Sequence, residues 1–503
     1  MTSPSDDVPA AVRPPTGAPA KSFDVILLNG ADLGCAEVVR LADGTARATL
    51  SPAALEQMEL SHATAVHLAA TRDVYGRTTG VGGKGGVRFT EPEIPGHGMR
   101  LLRSHASGAG RPLPARQVRA MLAIRANQLL AGGAGVDPQV VRALVAALNS
   151  GAHPVVREYG AVGCGDLTAL AELGLALTGE HPWEGTLSLP AIVLDDDDAL
   201  ALMSSNALVL GRSALILDDV RRLLHAAHAI AALCLVAVDA SMEPYAGAVH
   251  DAAPHPGAVR SAATMRRLLG VTSRPGPPAG RVQDPFAFRC LPQVYGAALG
   301  AADSVEQALT VELNAGVENP LISVGEHTLY HHGGFFTAQI TLVLDQLRLA
   351  IFKVAQLSNA LLTALFEPAL TGLGPFLAED GGSGVMLLGH TAADALSDVQ
   401  AAAFPASLGH AVLCRGTEEL ASFASLAVRQ GLHAVEGLRL VLACELVAAV
   451  RALRQRGTPP PTGTEAAHAF KLANAALDER MADRPLTGDI ETATKLVDRL
   501  GQQ

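Results

Sequence analysis

Apolar residues recur at three- and four-residue spacing along most of the chain, which is the pattern of helices that bury one face. This pattern predicts helices at 114–131, 138–148, 213–238, 294–313, 337–366 and 417–453. Several of these segments are much longer than an average helix, and they are rich in Ala and poor in aromatic residues. Such helices favour close packing in which each helix is covered on most sides. We therefore predict a mainly α fold with a long central helix bundle.

Strand signals are confined to the start of the chain. Short β-like runs at 23–28 and 46–50, with Gly44 in the turn between them, predict a small N-terminal mixed α/β region. The segment before them is rich in Pro, Ala and Asp and lacks the basic and then apolar pattern of a signal peptide. We expect four parts: a disordered tail (1–22), an N-terminal active-site domain with a prosthetic-group loop (23–210), the central bundle (211–455) and a C-terminal helical tail (456–503).

Composition narrows the class of protein. The 503 residues are 49% apolar, enough for a large core, and the formal net charge is −11 without a long basic run. Nucleic acid and anionic membranes are therefore not expected partners. The apolar stretch at 226–240 falls short of a bilayer span and predicts a buried helix. We expect a cytoplasmic protein.

The cysteines and acidic clusters do not predict a metal site. The six cysteines lie far apart, without a C-x-x-C pair or a His at metal-ligand spacing, as in a reduced cytosolic protein. We interpret the acidic run 195–198 as a solvated loop before a helix N-terminus rather than a cation site. No nucleotide cofactor is expected either.

A Gly-rich loop with a central cysteine carries the most informative motif. Gly163-Cys164-Gly165 is followed by Asp166-Leu167. The segment resembles the one in histidine and phenylalanine ammonia-lyases in which Ala-Ser-Gly, followed by Asp-Leu, cyclises into the electrophile methylidene-imidazolone. The resemblance implies that the Gly165 nitrogen attacks the Gly163 carbonyl and that Cys164 then loses hydrogen sulfide where serine loses water. An intact thiol in a tight loop is the alternative.

A second glycine-rich segment, 74–82, resembles the Tyr-Gly-x-x-Thr-Gly-x-Gly loop of the same family. The resemblance implies that Tyr75 is the base that removes a proton from the substrate. Because a phenol is a weak base at neutral pH, this role requires a pKa depressed by nearby positive charge or hydrogen bonds. Arg77 is a candidate for that charge, and the glycines make the loop a plausible mobile lid.

A third segment, 281–294, is similar to the family sequence Val-Gln-Asp-Pro-Tyr-Ser-x-Arg-Cys-x-Pro-Gln. The resemblance implies that Arg289 pairs with the substrate carboxylate, a role that suits a planar guanidinium. It places Gln283 near the prosthetic group. Phe286 replaces a tyrosine that forms a hydrogen bond at the active site.

Three shorter matches add substrate-binding candidates. Asn319 falls on the asparagine of the family's Asp-Asn-Pro-Leu element, which holds the carboxylate region, and Phe336 falls on an expected pocket wall. The family asparagine that contacts the prosthetic group falls on Ser204, with Asn206 two residues later. Because two residues along a helix are a large rotation, Asn206 does not simply substitute for it.

Two positions concern the substrate side chain. Segment 102–108 resembles a selectivity segment of histidine ammonia-lyases, which implies that His105 faces a polar side chain. Segment 414–422 places Glu418 where histidine-type members have Glu, although Gly416 and Thr417 replace the neighbouring Asn and Gln. Both matches favour a polar or cationic side chain.

Together the matches extend from about residue 60 to about residue 450, and the chain is identified by them as a member of the aromatic amino acid ammonia-lyase and aminomutase superfamily. The resemblance implies elimination of ammonia from an α-amino acid with a histidine-like, aromatic or other polar side chain. It also implies a homotetramer with shared active sites. Two alternatives stay open: a 2,3-aminomutase on the same residues, and a divergent homologue without the electrophile that binds ligands or uses a free Cys164.

Overall fold

The computed structural model describes residues 23–90, 96–185, 190–277, 280–379 and 381–502. The α-helices are α1 (Cys35–Ala42), α2 (Pro52–Thr71), α3 (His97–His105), α4 (Ala115–Leu130), α5 (Pro138–Ser150), α6 (Leu167–Leu177), α7 (Asp198–Met203), α8 (Ala207–Ala237), α9 (Gly247–Asp251), α10 (Pro256–Leu269), α11 (Phe286–Glu312), α12 (Ala338–Leu365), α13 (Pro368–Thr371), α14 (Met386–Ala402), α15 (Ala424–Arg456), α16 (Glu465–Ala476) and α17 (Thr487–Leu500). The strands are β1 (Asp24–Leu28), β2 (Ala46–Leu50), β3 (Ala109–Pro112), β4 (His153–Pro154), β5 (Arg157–Tyr159), β6 (Trp183–Glu184), β7 (Leu321–Ser323) and β8 (Thr328–Tyr330). The predicted mainly α fold is confirmed. The tail over 1–22 lies outside the described residues.

The strands form small two-stranded sheets. β1 and β2 pair in parallel, with Asp24 opposite Ala46 and Leu28 opposite Leu50. The two strands were predicted, but the single turn between them is wrong, because parallel strands need a crossover and α1 provides it. Gly44, at φ +71°, lies in the short connection between α1 and β2.

The centre of the fold is a bundle of four long helices: α8, α11, α12 and α15. α12 packs against α11 and α15, and α15 packs against α8 and α14. One continuous apolar core extends from Ile26 to Leu500, and the C-terminal α17 packs on α15. The expected domain boundary at 210/211 falls inside α8. The stretch 198–237 is long and apolar enough to cross a membrane, and it is longer than the apolar stretch 226–240 identified in the sequence. Its most apolar window is buried within the fold.

Three helix starts differ from the sequence prediction by six residues or more, and the first is that of α8, which begins at Ala207 instead of 213. α11 begins earlier than 294, at Phe286, and continues through Pro292. Proline has no N–H to donate to the Phe288 carbonyl one turn back, and the Tyr245 hydroxyl donates to that oxygen instead, at 2.7 Å. α15 begins later than 417, at Ala424, because Phe423 adopts a left-handed conformation at φ +56°. The residues before Phe423 are thereby free to form part of the site.

Candidate active site

A cavity of about 860 Å³ opens between several loops and the helices α3, α6 and α7. Its wall includes six of the residues predicted for the site: Tyr75, His105, Cys164, Ser204, Asn319 and Glu418. These residues come from six separate stretches of sequence, and the fold brings them together.

Tyr75 lies in the loop between α2 and α3. Gly76 follows it at φ +73°, and a Cβ there would lie 2.0 Å from Leu200 Cδ2, so the turn requires glycine. The Gly82 backbone N–H donates to Tyr75 Oη at 2.6 Å. Burial raises the pKa of Tyr75, with further contributions from Glu418 and Cys414, and the Gly82 hydrogen bond only partly offsets the shift. Within one chain this phenol is therefore protonated, contrary to the depressed pKa that its role requires.

Arg77 does not supply the expected positive charge to Tyr75. Its side chain is buried, and Nη2 donates to the carbonyls of Ala134 at 3.2 Å and Gly135 at 2.9 Å. Nη1 lies 3.7 Å from a carboxylate oxygen of Asp197. Arg77 thus fastens the loop to its surroundings.

Cys164, the central residue of the triplet Gly163-Cys164-Gly165, forms part of the cavity floor. Gly163 and Gly165 have φ values of +92° and +138°, which side-chain-bearing residues rarely adopt. Cys164 Sγ donates to the Leu420 carbonyl at 3.2 Å, and burial, with a contribution from Glu418, raises the pKa of this thiol. The Gly163 carbonyl oxygen accepts from Ser422 Oγ at 3.0 Å and from Thr337 Oγ1 at 3.2 Å.

The triplet is anchored to the start of α8 through Asp166. The Asp166 backbone N–H donates to the Ser205 carbonyl at 2.8 Å, and its carboxylate accepts from the Val209 N–H at 2.8 Å. Burial raises the pKa of Asp166 to about 6. The triplet is compatible with ring closure, because neither flanking residue has a Cβ and the carbonyl to be attacked already holds two hydroxyl donors.

Arg125, on α4, connects the two segments that carry the cavity residues Ser204 and Asn319. It is fully buried, its Nε donates to the Leu202 carbonyl at 2.9 Å, and its Nη1 lies 2.7 Å from Glu318 Oε1. This pairing ties the end of α7 to the chain that carries Asn319, whose backbone N–H donates to Ser204 Oγ at 3.2 Å. Removing one partner of such a buried pair would leave an uncompensated charge.

The amide of Asn319 is fixed on one side only. Its Oδ1 accepts from the His332 backbone N–H at 3.0 Å. Within the described part of the chain its Nδ2 hydrogens have no partner, so Asn319 can donate to an oxygen of a ligand in the cavity.

His105 and Glu418 present polar groups on another part of the wall. His105 Nδ1 lies 2.9 Å from the Leu101 carbonyl, which can only accept, so Nδ1 is the donor and Nε2 is free to accept in the neutral ring. Glu418 Oε1 accepts from Cys414 Sγ at 3.2 Å. The cavity can therefore accept hydrogen bonds from a polar side chain.

Seven predicted residues do not line this cavity in the single chain: Gly163 and Gly165, which flank Cys164, and five others, Gln283, Phe286, Arg289, Asn206 and Phe336. Gln283 and Phe286 are exposed, and Arg289 Nε donates to the Asp284 carbonyl at 2.9 Å with its guanidinium 5.2 Å from the Phe286 ring centre. Asn206 is buried and donates through Nδ2 to the Phe335 carbonyl at 2.7 Å. Phe335 lines the cavity and Phe336 does not.

Several polar residues of the site were not predicted from the sequence. The additional residues are Lys84, Arg100, Ser205, Cys414 and Arg415 on the cavity wall, and Thr337 and Ser422 behind the Gly163 carbonyl. Ser422 ends the matched segment 414–422, and Thr337 directly follows the matched 333–336. Because both residues lie in or beside family motifs, the sequence could have indicated them as site residues. It could not have predicted that they contact the Gly163 carbonyl.

Residues of the acidic run 195–198 take part in the fold to a greater extent than a solvated loop would. Asp196 accepts from the backbone N–H groups of Gly96 at 2.6 Å and Gly98 at 2.9 Å, which caps α3. Asp198 is completely buried at the start of α7, so the interpretation as a solvated loop is wrong for this residue. Among the described residues, His62, Asp137 and Asp195 bring possible metal-ligand atoms within 4.8 Å of one another.

Comparison with known proteins identifies the family. Residues 33–475 match the family described as aromatic amino acid lyase. The chain belongs to the aromatic amino acid lyase family. Among its relatives, the histidine ammonia-lyase of Anaeromyxobacter dehalogenans is 33% identical over 95% of this chain and 99% of its own length.

Solved structures of the family have the same fold. The ergothioneine-degrading enzyme ergothionase of Treponema denticola is 25% identical, with a TM-score of 0.89 over 95% of this chain and 99% of its own. The histidine ammonia-lyase of Trypanosoma cruzi is also 25% identical, with a TM-score of 0.85 over 94% of this chain and 93% of its own. This aromatic amino acid lyase is a carbon–nitrogen lyase that acts as an amino acid ammonia-lyase.

Proposed function

We propose that this lyase eliminates ammonia from an α-amino acid with a histidine-like or other polar side chain. The observation that carries the proposal is the shared cavity of Cys164, Tyr75, Asn319, His105 and Glu418. We further propose that Gly163-Cys164-Gly165 matures into methylidene-imidazolone. Once formed, that group supplies an electrophile for the amino group of the substrate.

The chain's own residues then divide the remaining tasks. Asn319 donates through Nδ2 to the carboxylate region of the substrate, and His105 Nε2 and Glu418 accept from its polar side chain. The Gly82 N–H stabilises the deprotonated form of Tyr75 Oη, and this phenolate then receives the β-proton and becomes neutral. Because burial and Glu418 keep the phenol protonated in the single chain, a cationic group must approach Tyr75 before it acts as a base.

We propose that Arg289 and Gln283 reach the site from another subunit of a homotetramer. In support, neither residue lines the cavity of its own chain, and apolar side chains beside them face outward, with Val282 92% and Phe286 67% exposed. A monodisperse monomer in light scattering at micromolar concentration would contradict this assembly. The homologues support a non-membrane enzyme, and we place it in the cytoplasm.

Intact-mass spectrometry tests the electrophile. We expect the purified protein to lack one water and one hydrogen sulfide relative to its sequence, and Cys164 to resist alkylation by a thiol reagent. Screening the proteinogenic amino acids then identifies the substrate. On that substrate, Arg289→Lys keeps the charge but loses the planar fork, so KM should rise while the mass loss is retained.

The same measurement decides for or against a second candidate. If Cys164 remains a thiol, the site has no electrophile to activate a primary amine, but a trimethylammonium group can leave without one. The similarity to the ergothioneine-degrading enzyme favours this candidate, since ergothioneine is a trimethylammonium betaine. Full sequence mass together with release of trimethylamine would replace the first proposal. A β-amino acid product would instead identify an aminomutase.

A further inference from the structure

Two hydroxyl groups converge on one backbone oxygen beneath the cavity. Ser422 Oγ lies 3.0 Å and Thr337 Oγ1 3.2 Å from the Gly163 carbonyl oxygen, and the two hydroxyl oxygens are 2.9 Å apart. Ser422 is 5% and Thr337 1% exposed. Water therefore has little access to these donors, and a hydrogen bond in such a place is stronger than one at the surface.

The number of protons on the two hydroxyls limits which of these contacts can be hydrogen bonds at the same time. Each hydroxyl has one proton to donate, and Ser422 Oγ also accepts from the Ala424 backbone N–H at 3.3 Å. With Ser422 donating to Gly163, Thr337 can donate either to the same carbonyl or to Ser422 Oγ. In both arrangements the hydroxyls polarise the Gly163 carbonyl.

The close approach depends on glycine at position 163. A Cβ on Gly163 would lie 2.0 Å from Ser422 Oγ and 3.0 Å from the backbone nitrogens of Phe423 and Ala424. The family triplet that this one resembles has alanine at this position, and an alanine Cβ here would collide with Ser422 Oγ in its present placement. The shape of the site therefore couples the two residues.

We propose that Ser422 and Thr337 drive maturation of the triplet by stabilising the negative charge that develops on the Gly163 oxygen. This inference rests on the proposed function, in which the triplet becomes the electrophile. Preorganised donors at a developing oxyanion are a large source of rate in acyl chemistry, and a bonded hydroxyl can also pass a proton to a departing oxygen.

The chemistry balances without an oxidant. The Gly165 nitrogen forms a bond to the Gly163 carbonyl carbon, and the carbonyl oxygen leaves as water with the amide protons of Gly165 and Cys164. Cys164 then loses its Cα proton and its Cβ–Sγ bond breaks, which releases hydrogen sulfide and leaves a Cα=Cβ double bond. The mass falls by one water and one hydrogen sulfide.

The test follows maturation by intact mass and by alkylation of Cys164 over time after purification. Ser422→Ala and Thr337→Val should each slow the mass loss on the order of a hundredfold, the scale for losing one oxyanion donor. Thr337→Ser should restore it. Ser425→Ala is the matched control, because Ser425 Oγ donates at 2.7 Å to the carbonyl of Ala161, two residues before Gly163.

Each outcome separates the two proposals. Mass loss at the wild-type rate in both Ser422→Ala and Thr337→Val overturns the hydroxyl role and leaves the electrophile in place. Equal slowing in Ser425→Ala also overturns it, because general loosening of the loop would then be the cause. A wild type with full mass and an alkylated Cys164 overturns both proposals. Melting temperature and elution volume identify a variant that fails to fold, and in that case Thr337→Val against Thr337→Ser decides.

Discussion

The cavity floor and the centre of the bundle each place hydroxyl and thiol groups around a buried oxygen. In the bundle, Ser358 Oγ and Cys234 Sγ both donate to the carboxyl group of Glu445, with the Cys234 bond at 3.2 Å. All three groups are fully buried on long helices. At the cavity floor, hydroxyls donate instead to the backbone carbonyl of Gly163, next to a half-buried Cys164.

The two clusters have similar hydrogen-bond donors. They differ in the conformation of the backbone around them and in their access from the cavity. Helix backbone satisfies its own carbonyls and offers no strained peptide, so the bundle cluster can only stabilise or destabilise the fold. The cavity cluster lies on loops with glycines at positive φ, where a carbonyl and the amide two residues later can approach. Substitutions in the cavity should therefore change chemistry, and substitutions in the bundle should change stability.

Tyr75→Phe should have the largest effect. Removing the hydroxyl that accepts from Gly82 should lower kcat by roughly a hundredfold or more, the usual scale for losing a general base, with KM and melting temperature nearly unchanged. Steady-state kinetics and thermal melts measure both. Tyr330→Phe, at an exposed tyrosine that donates to Glu326, is the control. Full activity in Tyr75→Phe would remove the proposed base.

Tyr245→Phe should have the opposite signature. The Phe288 carbonyl would lose its donor, and because Pro292 has no N–H to replace it, a buried oxygen would stay unsatisfied at a cost of about 1–3 kcal/mol. Denaturant unfolding should record this loss while kcat and KM remain at wild-type values. Tyr159→Phe, at an exposed tyrosine, should not change stability measurably. Loss of activity without loss of stability in Tyr245→Phe would contradict the distinction between the cavity and the bundle.

Glu445→Gln should make stability less dependent on pH. Burial raises the pKa of Glu445 to about 8 from 4.5, so the unfolded chain releases this proton first and stability falls as pH rises through that interval. The glutamine cannot ionise, so the variant should gain stability relative to wild type as pH rises from 4.5 toward 8 and differ little in this respect near pH 4. Melting curves across this range measure the gain. Glu436→Gln, exposed on the same helix, should show no such trend.

The sequence was most informative about features that repeat or follow a family motif. Apolar periodicity predicted the long helices, and the motifs predicted that Tyr75, Cys164 and Glu418 belong to one site. It failed where a tertiary contact decides the outcome. The start of α11 depends on Tyr245, from another segment, satisfying the carbonyl that Pro292 leaves open. Arg77 lies two residues after Tyr75 in the same motif, yet its guanidinium donates to the carbonyls of Ala134 and Gly135.

Glu418→Gln should have the smallest effect on rate and the clearest effect on its pH dependence. Glu418 contributes to the raised pKa of Tyr75 because a nearby carboxylate disfavours the phenolate, and burial, the larger cause, remains in the variant. Loss of the charge should therefore lower the pKa of Tyr75 somewhat, so the rise of kcat/KM with pH should move to lower pH. Substrate preference should also move from polar or cationic side chains toward aromatic ones. Glu419→Gln, at the exposed neighbouring residue, removes the same charge outside the cavity wall and should leave the profile in place. A shift to higher pH, or equal shifts in both variants, would mean that Glu418 does not face the Tyr75 hydroxyl during the reaction.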